Sequence, residues 1–210
     1  ELKEAKQEVE NSYFSAIQSL AVALEAKDRY TAGHSQRVSR FAMMIARGLE
    51  LPAFEVRTIG QIGLLHDIGK IGMDERVLNK PGKLTAEEFE MVKQHPVIGA
   101  QILAPVRALE GHISGIKHHH VRWGRTGYPD RLKGEVIPLT ARIICVADSF
   151  DAMTSTRPYR PGRTLEEAIV EMRRCEGMQF DRQCVEAFVA ILQREAGPED
   201  ASGGKLLANG

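Results

Sequence analysis

Cysteine is scarce in this chain: Cys145, Cys175 and Cys184 are the only three in 210 residues, widely spaced and without a CxxC pair. An odd, scattered set builds neither a disulfide framework nor a closed thiolate zinc site, and it reads as the reduced thiols of a cytoplasmic protein. Charge of one sign is missing too. The 28 Lys and Arg balance 28 Asp and Glu, which excludes the basic field of a nucleic-acid-polymer binder and the polybasic patch of a membrane-surface protein. Long apolar runs are also absent. The longest uncharged stretch near the start, Asn11 to Leu24, has 14 residues, several of them polar, short of the roughly 20 a helix needs to cross a bilayer. No segment sustains period-two alternation of apolar residues, which removes the β classes.

What is present is a chain 43% hydrophobic, long enough to build a core without disulfide or metal staples. The expected fold is all-α. Helices are predicted over Ala32–Glu50, Ala53–Asp67, Ala86–Gln94, Val97–Leu103, Val106–His118, Leu139–Thr154, Leu165–Cys175 and Arg182–Glu195. Thr85 and Glu88 form a capping box on the third of these. Between them lie two loops rich in Gly, Pro and charge, Lys70–Leu84 and Val121–Pro138. Loops of that length are usually functional or disordered.

Residues 1–27 carry Leu2, Ala5, Val9, Ala16, Ile17, Leu20 and Leu24 at helical spacing. This amphipathic helix either packs on its own domain or acts as a signalling helix through which two chains dimerise. The expected organisation is that helix, a helical domain over 28–195, and a disordered Gly-rich tail over 196–210. The chain opens at Glu1 with no signal-peptide pattern, and is expected to be part of a longer protein with a sensor or receiver domain upstream.

The chemistry is concentrated in the histidines, all seven of which lie in the first 120 residues. His66 and Asp67 end the apolar segment GQIGLLHD. Burying an imidazole and a carboxylate together is costly unless something pairs them, and a divalent cation does so. A single such pair is a weak signal, since a lone buried His is more often a hydrogen-bonded core residue. Here, however, His34 opens one helix, His95 falls at a junction before Pro96, His119 and His120 end another helix, and Asp148 stands within IICVADSF. Five imidazoles and two carboxylates suffice for two metals with open positions. Mixed N/O ligation of that kind suits Fe, Mn or another first-row ion.

The ordered set GHS at 33–35, HDIGK at 66–70, QHP at 94–96, HH at 119–120, GYP at 127–129 and VADSFDAMTSTRPYR at 146–160 resembles the HD-GYP family of HD-superfamily phosphohydrolases, over about Ala26 to Leu192. The resemblance implies an all-α HD-superfamily helical bundle and a metal-dependent phosphodiesterase acting on cyclic di-GMP. The product would be linear pGpG or, after a second hydrolysis, GMP. It implies His34, His66, Asp67 and Asp148 as ligands of one metal, His95, His119 and His120 as ligands of the other, and Asp67 as the bridge. Asp67 and Lys70 would be catalytic, and Lys70, Tyr128, Asp151, Arg157 and Arg160 would bind substrate. Lys70 lies one helical turn beyond His66 and can donate to a phosphate oxygen or the leaving group. The arginine fork of Arg157 and Arg160 suits phosphate and the guanine edge.

The family usually reads HHExxDGxGYP where this chain reads HHVRWGRTGYP, so Val121, Gly124 and Arg125 replace Glu, Asp and Gly. Losing a carboxylate that orients a ligand imidazole costs about 10–100-fold in metal affinity or activity. Two readings follow: an active or weakened phosphodiesterase, or a module that binds cyclic di-GMP or a protein without hydrolysis. A third is a phosphohydrolase of another nucleotide. Tyr30 stands where some relatives carry an acid for a third metal, so two ions are expected. His112 and His118 fall outside the ligand set and are read as structural or surface residues.

Overall fold

The computed structural model describes residues 2–25, 33–156 and 161–196. The expected disordered tail from 197 onward, Tyr30, Arg157 and Arg160 lie outside the described residues. Among the described residues the protein is helical, with α1 Leu2–Glu25, α2 His34–Gly48, α3 Ala53–Leu65, α4 Glu75–Leu78, α5 Ala86–Val92, α6 His95–Leu103, α7 Glu110–His118, α8 Leu139–Thr154, α9 Leu165–Arg174 and α10 Arg182–Ala196. There is no strand among them, only isolated bridges joining Val121 to Gly127 and Glu176 to Phe180. The expected α8 coincides with the observed one. The loop expected over Lys70–Leu84 instead contains a 3₁₀ turn, Ile68–Gly72, and the short α4, whose N-cap Asp74 accepts from the backbone of Arg76.

Helix α8 is apolar nearly all round, and Ala141, Ile143, Ile144, Val146, Ala147 and Phe150 are each fully buried. With these positions buried the helix runs through the centre of the bundle, and its polar residues Asp148 and Ser149 line a cleft. Phe150 meets Phe41 of α2 edge-on at 5.0 Å and Phe188 of α10 at 4.9 Å. Edge-to-face pairs of this kind add roughly 0.5–1.5 kcal/mol beyond their burial. The interlock fixes α2 across α8, and with it the position of His34.

Helices α2 and α3 touch backbone to backbone. A Cβ on Gly63 would lie 2.7 Å from the Cα of Ser39, so only glycine allows this approach, and Ser39 Oγ–H seals the contact by donating to the carbonyl of Gly60 at 2.7 Å. Similarly, any side chain on Gly69 would strike the carbonyl oxygen of His95 and the backbone nitrogen of Gly99. The 3₁₀ turn after Asp67 is thereby pressed onto the start of α6. These two close approaches draw the ends of α2, α3 and α6 to one point.

The last turns of α1 pack on the domain itself, with Ala21 and Leu24 buried in the core while Leu20 and Val22 face solvent. No described helix is long and apolar enough to cross a membrane.

Candidate metal centre

His34 opens α2, whereas His66, His95 and His119 each follow the last turn of a helix, where the backbone still has unpaired carbonyls. His66 Nδ1 donates to the carbonyl of Gly63 at 2.7 Å, His95 Nδ1 to Val92 at 2.7 Å and His119 Nδ1 to Ile116 at 2.6 Å. A carbonyl can only accept, so in all three rings the proton is on Nδ1 and the lone pair on Nε2. The three lone pairs converge inward. His95 Nε2 and His119 Nε2 stand 3.3 Å apart with no proton between them, an arrangement that is repulsive unless a cation lies close by.

Asp67 sits at the middle. Its Oδ1 is 3.2 Å from His95 Nε2, and its Oδ2 is 3.5 Å from His66 Nε2 and 3.9 Å from His34 Nε2. Two donor groups result, His34–His66–Asp67 and Asp67–His95–His119–His120, and within each the ligand atoms lie within 4.8 Å of one another. Asp67 belongs to both. Asp148 Oδ1 flanks the first group at 3.5 Å from His34 Nε2. Lys70 Nζ pairs with Asp67 Oδ2 at 2.7 Å, and the Tyr128 ring lies against that of His120 at 4.8 Å between centroids.

The electrostatics suit a cation. Burial pushes the imidazoles of His66 and His119 below their ordinary range and takes His120 down to about 4, keeping them neutral as metal ligands must be. Burial opposes ionisation of Asp67, yet Lys70, His66 and His95 hold its carboxyl well below the usual range. His34 is shifted upward despite burial, through its bond to Asp151 and the charges of Asp148 and Asp67. Neutral nitrogens and ionised oxygens around a shared point are the donor set of a first-row or similar divalent ion, and the residues fit one.

Asp151, expected to touch substrate, is almost fully buried, with Oδ2 bonded to His34 Nδ1 at 2.7 Å and Oδ1 to Arg37 Nε. Both of its oxygens are engaged, one by His34 and the other by Arg37. Val121 is buried with Ile137 and Ala141, and the imidazole of His119 is held by the carbonyl of Ile116. The long second loop is ordered. Arg122 N–H donates to Thr126 O, Trp123 N–H to Gln179 O and Gly124 N–H to Met178 O, at 2.9, 3.1 and 2.8 Å. His112 pairs with Gln61 at 2.6 Å and His118 with Asp130 at 2.9 Å, both outside the two groups.

Sequence reasoning does not single out Arg37, which shares Asp151 with His34 from a position 114 residues away. It also passes over Phe89, Arg122, Ser149 and Gln179, which line a cleft beside His120 and Asp148. The only available signal for Arg122 is its place two residues beyond the paired histidines.

The profile of the HD domain family matches residues 18–184. The chain is 46% identical over 176 residues to the cyclic di-GMP phosphodiesterase PA4108 of Pseudomonas aeruginosa, covering 83% of this chain and 42% of that protein. It is 41% identical over 185 residues to the cyclic di-GMP phosphodiesterase response regulator RpfG of Xanthomonas campestris, covering 87% of this chain and 49% of that protein. The chain thus spans about half the length of these curated relatives or somewhat less. Among solved structures, the cyclic GMP-AMP-specific phosphodiesterase V-cGAP3 of Vibrio cholerae superposes with a TM-score of 0.68 at 23% identity, over 86% of this chain and 48% of that one. At that identity the likeness shows a shared fold.

Proposed function

This chain belongs to the HD-domain family, in its HD-GYP branch, and from that premise we propose that it hydrolyses cyclic di-GMP to linear pGpG, with GMP as the product of any second cleavage. The observation that carries the reading is the sharing of Asp67 between two donor groups that together hold five imidazoles. In this reading His34, His66, Asp67 and Asp148 hold one divalent ion, and Asp67, His95, His119 and His120 hold a second, with Fe or Mn favoured by the N/O donors. Two such ions would supply Lewis-acid activation of water and positive charge for the phosphate oxygens.

The chain's own residues do the rest. The carbonyls of Gly63, Val92 and Ile116 hold three imidazoles in one tautomer, so no reorganisation is needed as charge develops. Lys70, at 2.7 Å from Asp67, is placed to donate to a non-bridging phosphate oxygen or to the departing 3′-oxygen. Burial and the neighbouring Asp67 and Asp148 push the Tyr128 phenol upward; it keeps its proton and can donate a hydrogen bond to phosphate. Arg157 and Arg160 are assigned to substrate by the motif they belong to.

The test is turnover of cyclic di-GMP by protein purified anaerobically and loaded with Mn or Fe, its metal content measured on the same sample. Product on chromatography, abolished in Asp67→Ala, is expected. No product from verified two-metal protein, with Asp67→Ala indistinguishable from wild type, would refute the reading. The second reading, binding without hydrolysis, is motivated by Val121 and Gly124, which offer no carboxylate beyond the paired histidines. Tight binding of the nucleotide with no turnover would establish it.

A further inference from the structure

Beside His120 and Asp148 a cleft of about 370 Å³ opens between α5, the hairpin that carries Tyr128, and the segment before α10. It is continuous with the donor groups, because His120 belongs to both. Its lining also includes Arg122 and Phe89, which the expected catalytic set does not contain. There Arg122 lies exposed along the cleft, and among the described residues no carboxylate pairs with its guanidinium, whereas Arg37, Arg142 and Arg174 are each held by an acid. A guanidinium with its donors unspent in a concave site is a phosphate-binding group.

Phe89 lines the same cleft. It is 45% exposed, sets its edge against the Tyr128 ring at 6.5 Å, and carries Lys93 Nζ over its ring at 4.8 Å from the centroid. A half-exposed phenylalanine fixed by two neighbours in a polar cleft offers a flat apolar face that a nucleobase can cover. Gln179 and Ser149 line the cleft too, Gln179 Nε2 donating to Ser149 Oγ at 3.2 Å, and the Gln179 side-chain carbonyl offers an acceptor to a base edge.

We propose that this cleft seats the half of the cyclic dinucleotide that is not being cleaved, with Arg122 holding its phosphate and Phe89 stacking its base. The assignment rests on the phosphodiesterase reading and adds to it the residues that select a two-phosphate, two-base substrate. A diester with one phosphate and no nucleobase can reach the donor groups without using either residue.

The experiment uses the metal-loaded protein and two readouts. One is equilibrium binding of the bis-phosphorothioate analogue of cyclic di-GMP, which retains both negative charges and resists hydrolysis. The other is turnover of cyclic di-GMP and of bis(p-nitrophenyl) phosphate. Arg122→Ala and Phe89→Ala are expected each to weaken the analogue about tenfold or more and to raise KM for cyclic di-GMP far more than they lower kcat. Their loss on cyclic di-GMP should exceed that on bis(p-nitrophenyl) phosphate by about the same factor. Arg122→Lys and Phe89→Trp should recover part of the affinity. Variants that bind the analogue as wild type does, or that lose equally on both substrates, overturn the assignment. Wild-type protein that binds the analogue through Arg122 but turns nothing over sinks the phosphodiesterase reading and leaves the cleft assignment standing. Wild-type protein that does not bind the analogue overturns both.

Discussion

Glu25, the last residue of α1, accepts the backbone N–H of Ser35 at 2.7 Å, and its second oxygen accepts that of Gly33 at 2.8 Å. Gly33 is the N-cap of α2 and has no side chain with which to cap it, so the cap is supplied from another helix. A carboxylate there satisfies orphan N–H groups and lies at the positive end of the helix dipole. The helix it caps begins with His34. Glu25→Ala should lower unfolding free energy by about 1 kcal/mol, read in urea denaturation, and should also weaken metal retention on dialysis. Unchanged stability would remove the mechanical link between α1 and the site.

Asp151→Ala should act on the metal rather than on the fold as a whole. It frees His34 Nδ1, bonded at 2.7 Å in the wild type, and loss of such an orienting partner costs about 10–100-fold in metal affinity. Metal analysis after graded chelator dialysis is the check. Retention equal to wild type would return Asp151 to the substrate side.

Chelation should lower thermal stability as well as activity. With the ions removed, the lone pairs of His95 and His119 face each other at 3.3 Å and the ionised Asp67 keeps only Lys70 and the imidazoles as counterparts. Restoring Mn at about 100 times its dissociation constant should recover about 2.7 kcal/mol per site, seen as a concentration-dependent rise in Tm. A melting curve indifferent to Mn would contradict the cation site.

Arg125 holds φ +70°, the left-handed region, at the position where the family motif carries glycine. A non-glycine residue pays roughly 1 kcal/mol there. Arg125→Gly is therefore expected to stabilise the protein by about that amount, measured as a shift in urea midpoint with an unchanged slope. A destabilised variant would mean the arginine side chain makes a contact worth more than its backbone strain.

Gly69→Ala should do the reverse. The added carbon would meet the carbonyl oxygen of His95 and the nitrogen of Gly99, backbone atoms that cannot rotate away. A loss of about 3 kcal/mol with impaired metal binding is expected, because α6 must move and His95 moves with it. Calorimetry and metal analysis on the same preparation test both parts.

Much of the fold was legible in the chain because its strongest signals are local. The apolar run of α8 predicts Leu139–Thr154, and the Thr85–Glu88 capping box is present as expected. Less legible were short elements whose stability is tertiary. Helix α4 is four residues long and is hidden by the Gly- and Pro-rich composition around it. The helix expected over Val106–His118 ends as expected but starts later, because a 3₁₀ turn, Arg107–Leu109, precedes α7.

The sequence by itself determined an all-helical chain, the candidate donor residues, and their place at helix ends, since period, caps and the identity of His and Asp are properties of short segments. Only the tertiary structure decided what those residues do to one another. Backbone carbonyls set the tautomers, Asp151 turned inward to His34 across 117 residues, Val121 entered an apolar cluster with Ile137 and Ala141, and Arg122 and Phe89 came to face one cleft. Each of these depends on which surfaces meet when the helices pack, and a meeting of surfaces distant in the chain leaves no period or spacing along it.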